Sequence, residues 1–395
     1  MQRKRKIVLV SLFVYTGEDD NIRINTVYDF LKDKNDVSII TTDFNHRTKQ
    51  KHSISNSKRN IEMIKVPEYK QNLSLRRFFS HGVFAFKLYK YLKKLSQKPD
   101  IVYCIVPTVS SGLACAKFCK KFNIPFAVDV IDLWPESFIA LTPFPKFFSL
   151  LTYTWKKMAQ KVYASADKLF AESIEYANVA QKSNKKTLAL PVYLGTDNTK
   201  YQELIAKSTI HLQKPENEIW ICYGGGLGNS YDFDVILNAF DEIIREKYNN
   251  VKLFFIGDGI KSAYISSFIK KNKLPAIITG FLSYADFLKY LSYCDIALNP
   301  FLKNTKVVHS YKFNDYILAG LAVVNNLKGE TSEFIIQHEI GLNFDYESKL
   351  LKDKLLFLIN NKDILAKMKM NSTFVAANIL DKKIIYKELI NQLEN

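Results

Sequence analysis

Short apolar runs alternate with amphipathic stretches along most of this chain, and the alternation occurs twice. In the first half, the apolar runs are KIVLVSLFV, DVSIITTD, IEMIKV, DIVYCIV, FAVDVID and KLFAES. In the second half, they are EIWICYGGG, VKLFFIGDG, PAIITGF, DIALNPF and GLAVVNN. Strands that alternate with helices form parallel sheets covered by helices on both faces. The sequence therefore predicts an α/β protein with two doubly wound parallel-sheet domains.

The boundary between the two domains is expected near residue 200, because the pattern restarts after the segment LPVYLGTDNTKY. We expect an N-terminal domain over residues 1–200 and a C-terminal domain over residues 201–375. Ligands of doubly wound sheets bind beyond the carboxyl ends of the strands. Two such domains are therefore expected to face a central cleft that holds the substrates.

The cysteines and the N-terminal segment both predict a cytoplasmic protein. The five cysteines are odd in number, lie in apolar runs and lack the paired spacing of a zinc site, which indicates reduced core residues. The basic N-terminus precedes an apolar run of about eight residues, which is too short for a signal peptide or a membrane span. We expect this run to form the first buried strand.

Positive charge is concentrated in the first half of the chain. Residues 1–200 hold 33 Lys and Arg against 17 Asp and Glu, whereas residues 201–395 hold 23 against 22. The segment 69–98 has eight Lys and Arg, several aromatic residues and no acid. Such a helix suits an anionic membrane surface, because its rings bury at the interface while its basic groups contact phosphates. The residues expected to contact the membrane or the acceptor are Arg76, Arg77, Lys90, Lys93 and Lys94.

Two alternatives to membrane binding are compatible with this charge. Nucleic acid is a competing anion, but no nucleic-acid-binding motif accompanies the basic residues, and we expect no nucleic-acid partner. The segment 69–98 could also be an ordinary solvated helix whose aromatic residues face the core.

Three consecutive glycines, in YGGGLGNSYDF, lie between an apolar run and a helical pattern. Glycine lets backbone amides approach a ligand closely, and the start of a helix attracts phosphate. The spacing matches neither the dinucleotide fingerprint nor the P-loop. The segment therefore predicts either a phosphate-binding loop at the carboxyl end of a strand or a simple turn.

Asp232 and Asp234 form an Asp-x-Asp pair directly after this loop. Such a pair could hold a metal that clamps a nucleotide diphosphate. Both residues lie where a helix is expected to begin, and carboxylates at that position cap backbone amides. We favour capping and expect no metal.

An ordered set of motifs follows the glycine loop: LFFIGDG, IITGFLSYADFLKYLSYCDIALNPF, HSYKFNDYILAGLAVVNN and GETSEFIIQHEIGLNFD. Together they resemble the donor-binding domain of GT-B glycosyltransferases, specifically glycosyltransferase family 4, over roughly residues 219–375. In the first half, VDVIDLWPESF is similar to the Asp-Leu-Trp-Pro-Glu segment of bacterial capsule and O-antigen transferases. The resemblance implies the GT-B fold with two Rossmann-like domains, and a last helix over residues 376–395 that packs near the N-terminal domain.

The resemblance also implies roles for single residues. In SYKFNDYILAG, Lys312 is expected to meet the donor phosphates, and Asp315 is expected to accept hydrogen bonds from the ribose hydroxyls. Many relatives have a glutamate where this chain has Val307, and a basic pair where it has Gly226 and Tyr231. The loop amides and Lys312 are therefore expected to carry more of the phosphate charge. The expected donor-binding residues are Gly224, Gly225, Gly226, Gly257, Ser310, Lys312, Asp315 and Glu330.

Two further carboxylates, Asp132 and Glu136, flank the Trp-Pro pair that follows a predicted strand. They could cap the next helix or face the cleft, and we favour the cleft. Asp132 is expected to orient or deprotonate the acceptor hydroxyl. The expected catalytic residues are Asp132, Glu136 and Lys312.

The resemblance implies a retaining hexosyl- or N-acetylhexosaminyltransferase. Its donor is expected to be a nucleotide diphosphate sugar with UDP as the nucleotide, and its acceptor a polyprenyl-diphosphate-linked or growing surface glycan. No metal or other cofactor is expected, and the protein is placed peripherally on the inner face of the cell membrane. One alternative is an enzyme like UDP-N-acetylglucosamine 2-epimerase, which needs no membrane acceptor. A catalytically inactive nucleotide-sugar-binding protein is the other.

Overall fold

A computed structural model describes residues 3–14, 22–46, 48–51, 59–71, 74–140, 142, 144–303, 305, 307–308 and 310–395. The chain forms two compact units. The first comprises Met1–Leu194 together with Ile385–Asn395, and the second comprises Gly195–Ile384. The first unit therefore ends at Leu194, a few residues before the boundary expected at residue 200. The C-terminal segment that belongs to the first unit begins at Ile385, whereas the sequence predicted that it begins at residue 376.

The first unit contains a seven-stranded parallel sheet and its helices. Its strands are β1 (Lys6–Val10), β2 (Asp36–Thr42), β3 (Phe44–Asn45), β4 (Gln50–Lys51), β5 (Ile61–Ile64), β6 (Ile101–Val106), β7 (Phe126–Val130), β8 (Lys168–Ala171) and β9 (Ala189–Pro191). Its helices are α1 (Arg23–Leu31), α2 (Leu75–Lys94), α3 (Val109–Phe122), α4 (Glu136–Ala140), α5 (Pro145–Leu151), α6 (Tyr153–Ser165) and α7 (Ile174–Gln181). The strand order is β5-β2-β1-β6-β7-β8-β9, and β3 and β4 form a separate antiparallel pair.

The second unit contains a six-stranded parallel sheet. Its strands are β10 (Ile219–Gly224), β11 (Val251–Ile256), β12 (Ala276–Ile278), β13 (Ile296–Asn299), β14 (Ala322–Asn325) and β15 (Gly341–Asn343), in the order β12-β11-β10-β13-β14-β15. Its helices are α8 (Asn198–Lys207), α9 (Phe233–Arg245), α10 (Ser262–Asn272), α11 (Tyr284–Tyr293), α12 (Tyr311–Leu318), α13 (Glu330–Gln337), α14 (Ser348–Asn360), α15 (Lys362–Asn378) and α16 (Lys382–Ile385). The last helix, α17 (Lys387–Glu394), belongs to the first unit.

The central strands of both sheets are buried throughout because helices cover both of their faces, and β7 keeps one charged residue, Asp129, in this interior. Every residue of β6, β7 and β10 is buried. On one face of the first sheet, the core includes Leu389 and Leu393 of α17, which pack with residues of α1. The C-terminal helix therefore completes the first sheet by covering apolar surface that would otherwise face water.

The predicted fold class is confirmed. Every predicted strand forms, and each sheet gains one short strand at its edge, β9 and β15, that was not predicted. The five cysteines are free and buried, as expected. Within the described part of the chain, no helix combines the length and the apolar character that crossing a membrane requires.

Candidate functional site

The glycine loop lies at the carboxyl edge of the second sheet. β10 and β11 are paired up to Gly224 and Ile256, so the two strands end side by side. After the loop, the Asp232 carboxylate accepts a hydrogen bond of 3.1 Å from the amide of Val235 and thereby caps α9. The prediction of capping is confirmed for Asp232, while the carboxylate of Asp234 accepts a hydrogen bond from Tyr264.

Two of the predicted glycines combine a positive φ with close packing. Gly225 has a φ of +116°, and a Cβ there would lie 2.7 Å from Cε of Lys312. Gly257, which follows β11, has a φ of +146°, and a Cβ there would lie 2.2 Å from the carbonyl oxygen of Gly225. The two loops therefore meet backbone to backbone, with the stem of Lys312 against them. Gly226 differs, since a Cβ there would lie within 4 Å of none of the described residues other than its chain neighbours.

This difference predicts a contrast between two alanine variants. Gly257→Ala is expected to lower the free energy of unfolding by about 2 to 4 kcal/mol, because the new methyl group adds backbone strain and an overlap with Gly225. Gly226→Ala points into open space and is expected to change stability by less than about 0.5 kcal/mol. Urea unfolding of both variants measures the difference. Equal stability of the two variants would contradict the packing described here.

Most amides of the loop already have partners within the protein. Four donate hydrogen bonds of 2.8 to 3.0 Å to a tyrosine hydroxyl or to backbone carbonyls: those of Gly224, Gly225, Leu227 and Gly228. The amide of Gly226 donates to none of the described residues. The amides of Asn229 and Ser230 likewise donate to none of the described residues, so the expectation that the loop cradles phosphate with several amides is narrowed to Gly226, Asn229 and Ser230.

Lys312 enters the site from the first turn of α12. Its ammonium donates a hydrogen bond to the Tyr223 hydroxyl and lies 4.2 Å from the centre of that ring. The centre of the Tyr231 ring lies 3.2 Å away. Burial lowers the pKa of Lys312 well below its usual range. The structure thus brings Lys312 to the glycine loop, as expected from the sequence, and adds two tyrosines that the sequence did not place there.

Asp315 lies one helical turn after Lys312. Its carboxylate accepts a hydrogen bond of 2.7 Å from the Tyr284 hydroxyl. Burial raises the pKa of Asp315 to about 7, although the Tyr284 hydrogen bond and the charge of Lys382 oppose this rise. The Tyr284 ring stacks on Phe287, whose ring would lie 2.9 Å from a Cβ at Gly224. Asp315 is therefore joined to the glycine loop through a pair of aromatic rings.

The raised pKa of Asp315 predicts that ribose binding depends on pH. Ribose hydroxyls donate to the carboxylate form, so ligand binding should favour that form and weaken as pH falls below about 7. We expect the affinity for UDP-glucose, whose esterified diphosphate keeps its charge, to be about tenfold lower at pH 6 than at pH 8. Calorimetry across this range measures the effect. Asp315→Asn has no titrating group at this position, and its profile should be flat.

Ser310 and Glu330 lie at the starts of two neighbouring helices. Ser310 is buried at the N-cap position of α12, and Glu330 is the partly buried first residue of α13. The Thr331 hydroxyl donates a 2.8 Å hydrogen bond to the carbonyl of Val308, which joins the start of α13 to the segment before α12. Both predicted residues therefore lie beside the helix that carries Lys312 and Asp315.

Asp132 and Glu136 belong to the first unit, at the carboxyl end of β7. The Asp132 carboxylate accepts hydrogen bonds from the Leu133 amide and the Trp134 indole, each 2.8 Å long, and from the Ser137 hydroxyl. Glu136 forms an ion pair of 3.4 Å with Lys156. Asp132 is thus a half-buried carboxylate that organises the turn into α4. A turn-organising role and an acceptor-binding role are both compatible with this position.

The basic residues of α2 do not share one environment. Arg76, Lys90, Lys93 and Lys94 are exposed. Arg77 is only 4% exposed, and its guanidinium lies 4.9 Å from the centre of the Trp134 ring, with three further aromatic rings within about 6 Å. The expectation that Arg77 faces a membrane is therefore wrong. Its position on the buried stripe of the helix, in line with His81 and Phe84, turns it inward.

Two buried polar groups at the carboxyl edge of the first sheet were not singled out as site residues. Arg23 forms a buried ion pair with Asp129, which also accepts a hydrogen bond from Tyr103. Glu172 directly follows β8 and is 6% exposed, and burial raises its pKa to about 8. A polar residue directly after an apolar strand was the available signal for Glu172. No local pattern in the sequence pairs Arg23 with Asp129.

Comparison with known proteins finds a family match for the region that contains the glycine loop and Lys312. The glycosyl transferases group 1 family matches residues 218–361, which include the glycine loop and α12. Comparison with curated protein sequences finds no match. Among solved structures, Anabaena Alr3699/HepE in complex with UDP is similar over 98% of this chain and 99% of its own, with a TM-score of 0.71 and 15% identity.

Two other solved structures are similar over nearly their full lengths. WaaG, a glycosyltransferase involved in lipopolysaccharide biosynthesis, has a TM-score of 0.67 and 12% identity, over 98% of this chain and 99% of its own. A UDP-N-acetylglucosamine 2-epimerase has a TM-score of 0.64 and 14% identity, over 99% of this chain and 96% of its own. Residues 218–361 thus match the glycosyl transferases group 1 family, and the chain as a whole has the GT-B fold.

Proposed function

We propose that this protein is a glycosyltransferase whose donor is a UDP-linked sugar. The observation that carries the proposal is the arrangement on α12, where a cation and a carboxylate lie one turn apart beside the open amide of Gly226. A point charge suits a diphosphate, and a carboxylate suits the two hydroxyls of a ribose. The site lies within the matched family domain, and the Anabaena neighbour was solved with UDP and with UDP-glucose.

The proposed mechanism is electrostatic. As the bond between the sugar and the diphosphate breaks, negative charge grows on the leaving phosphate, and Lys312 and the Gly226 amide stabilise that charge. Asp315 holds the ribose, and so fixes the position of the diphosphate relative to Lys312. The family resemblance supplies retention of configuration at the sugar. Asp132, with Glu136 beside it, is proposed to orient or deprotonate the acceptor hydroxyl.

The acceptor is proposed to be a polyprenyl-diphosphate-linked or surface glycan at the inner face of the membrane. Exposed apolar side chains on the first unit support this, because Phe79 of α2 is 62% exposed and Leu150 of α5 is 75% exposed. A contact between Phe78 and Trp155, with ring centres 5.3 Å apart, joins α2 to α6, which directly follows α5. Together with the exposed lysines of α2, these groups suit an anionic headgroup layer.

Vesicle binding tests this surface. Replacing four of its exposed basic residues by glutamine should abolish pelleting with anionic vesicles at low salt, because each contributes about 1 kcal/mol near such a surface. These residues are Arg76, Lys90, Lys93 and Lys94. The matched control replaces four exposed lysines of the second unit: Lys270, Lys271, Lys349 and Lys362. If both variants pellet equally, α2 is an ordinary solvated helix.

A UDP-N-acetylglucosamine 2-epimerase is the second candidate, because a structure of that name has the same fold over 99% of this chain. Such an enzyme would change the configuration of the sugar and release the product as a nucleotide sugar, without transfer to an acceptor. The exposed basic and apolar surface of the first unit favours the transferase, since an epimerase needs no membrane acceptor.

Nucleotide binding is the first experimental test. Calorimetry should show that UDP binds and that ADP and GDP bind at least tenfold more weakly. Binding of all three with equal affinity would contradict the assignment of UDP, and binding of none would contradict a nucleotide-sugar site. An inactive nucleotide-sugar-binding protein would bind UDP but release no UDP from any nucleotide sugar.

A further inference from the structure

Aromatic rings surround the ammonium of Lys312 on two sides. Its Nζ lies 3.2 Å from the centre of the Tyr231 ring and 4.2 Å from that of Tyr223, and it donates a hydrogen bond to the Tyr223 hydroxyl. Within the described part of the chain, Lys312 forms no ion pair. The ammonium is therefore buried against the electron-rich faces of two rings, which offset part of its lost hydration.

The Tyr223 hydroxyl connects Lys312 to the glycine loop. It accepts the hydrogen bond of the ammonium and donates one of 2.8 Å to the carbonyl oxygen of Gly226. Gly226 is also one of the loop residues whose amides donate to none of the described residues. One hydroxyl thus holds two features beside the proposed phosphate position, namely the ammonium and the peptide unit that follows Gly226.

Tyr231 is itself held rigidly. Its backbone forms a bridge with Phe301, and the two rings lie 5.0 Å apart. Its ring also contacts Tyr223 at 5.4 Å and Phe233 at 6.2 Å. The loop from Gly224 to Ser230 contains no basic residue. The position of the Lys312 ammonium therefore depends on aromatic packing at one side of the loop.

We propose that Tyr223 and Tyr231 are positioning residues that hold Lys312 as a preformed anchor for a diphosphate, in place of a second basic side chain at the loop. A flexible lysine would lose side-chain entropy when it bound phosphate, whereas a caged lysine has lost that entropy before the ligand arrives. This proposal rests on the proposed function in one respect, because the diphosphate is taken to be part of a nucleotide. The claim that Lys312 anchors an anion does not depend on that assignment.

The test compares three ligands and three variants by calorimetry on the full-length protein. The ligands are UDP, uridine and pyrophosphate. UDP contains both parts of the proposed ligand, uridine contains the nucleoside alone, and pyrophosphate contains the diphosphate alone. Tyr231→Leu removes the ring, Tyr231→Phe keeps it, and Tyr223→Phe removes only the hydroxyl. Thermal unfolding of each variant establishes that it is folded.

We expect Tyr231→Leu and Tyr223→Phe each to weaken UDP and pyrophosphate binding about tenfold, with uridine binding unchanged. Tyr231→Phe should bind all three ligands like the parent, because its ring still faces the ammonium. A merely structural role for these tyrosines would lower UDP and uridine affinity together. That result overturns the proposal, as does unchanged pyrophosphate affinity in Tyr231→Leu.

The parent protein separates this proposal from the proposed function. If the parent binds pyrophosphate but neither UDP nor uridine, the nucleotide assignment fails, and the variants still test the cage with pyrophosphate. If the parent binds none of the three ligands, both the cage as an anion anchor and the proposed function are contradicted.

Discussion

Replacing Lys312 by methionine should lower the affinity for UDP at least about a hundredfold and bring turnover below detection. Methionine keeps an apolar stem of similar length against Gly225, so the change removes the charge and little of the packing. Without the ammonium, the loop offers the diphosphate three backbone amides, those of Gly226, Asn229 and Ser230, and no basic residue. Calorimetry with UDP and a UDP-release assay measure the two effects.

A matched lysine nearby provides the control for this experiment. The backbone amide of Lys261 donates to the carbonyl of Leu227 in the glycine loop, but its ammonium lies over the ring of Tyr264. Lys261→Met should therefore bind UDP like the parent. Uridine should bind equally to all three proteins, because it lacks the phosphates. Unchanged UDP affinity in Lys312→Met would contradict the donor site described here.

Asp132→Asn should lower turnover about a hundredfold or more while UDP affinity stays unchanged. Asp132 belongs to the first unit, whereas the groups proposed to bind UDP all belong to the second. If its carboxylate orients or deprotonates the acceptor hydroxyl, its charge matters for turnover, and a neutral amide cannot replace it. Steady-state kinetics with a fixed acceptor and varied donor separate the effects on kcat and KM.

The hydrogen bonds of Asp132 offer the controls that this prediction needs. Ser137→Ala and Trp134→Phe each remove one donor to the carboxylate and leave its charge in place. Each is expected to lower turnover less than about tenfold. If either control loses as much turnover as Asp132→Asn, then Asp132 acts by organising the turn before α4.

The sequence predicts the sheets well because their central strands are apolar throughout. β6 and β10 are six-residue apolar runs followed by helical patterns, which is the local signature of a parallel strand. β9 and β15 have three residues each, and their sequences ALP and GLN contain residues that are depleted in strands. β12 is equally short, but its residues AII are all apolar, and the sequence therefore indicates it.

Parts of the site could be predicted from local features, and other parts depend on tertiary contacts. Lys312 and Asp315 share one motif and one helix face, so their proximity follows from helical spacing. The burial of Arg77 could also be predicted from the sequence, since Arg77 lies on the same helix face as the apolar residues of α2 that begin at Phe84. The stacking of Tyr231 on Lys312 joins residues far apart in the chain, and no local pattern indicates it.

The hydrogen bonds of the glycine loop also could not be predicted from local sequence. Glycine content indicates that the backbone can approach a ligand, but it does not indicate which amides already have partners. The amides of Gly225 and Leu227 donate to residues at the end of β11 and directly after it, and that pairing depends on the neighbouring strand. Only the assembled sheet shows that the amide of Gly226 is among those that remain open.

Transfer of a labelled sugar tests the central claim most directly. A panel of UDP-sugars, each labelled in the sugar, is incubated with the full-length protein and membranes that contain lipid-linked glycans. We predict that one donor places its label in the lipid-extractable fraction and releases an equal amount of UDP. A change in the configuration of the sugar nucleotide without UDP release would instead identify an epimerase, and the absence of turnover with every donor would contradict an active glycosyltransferase.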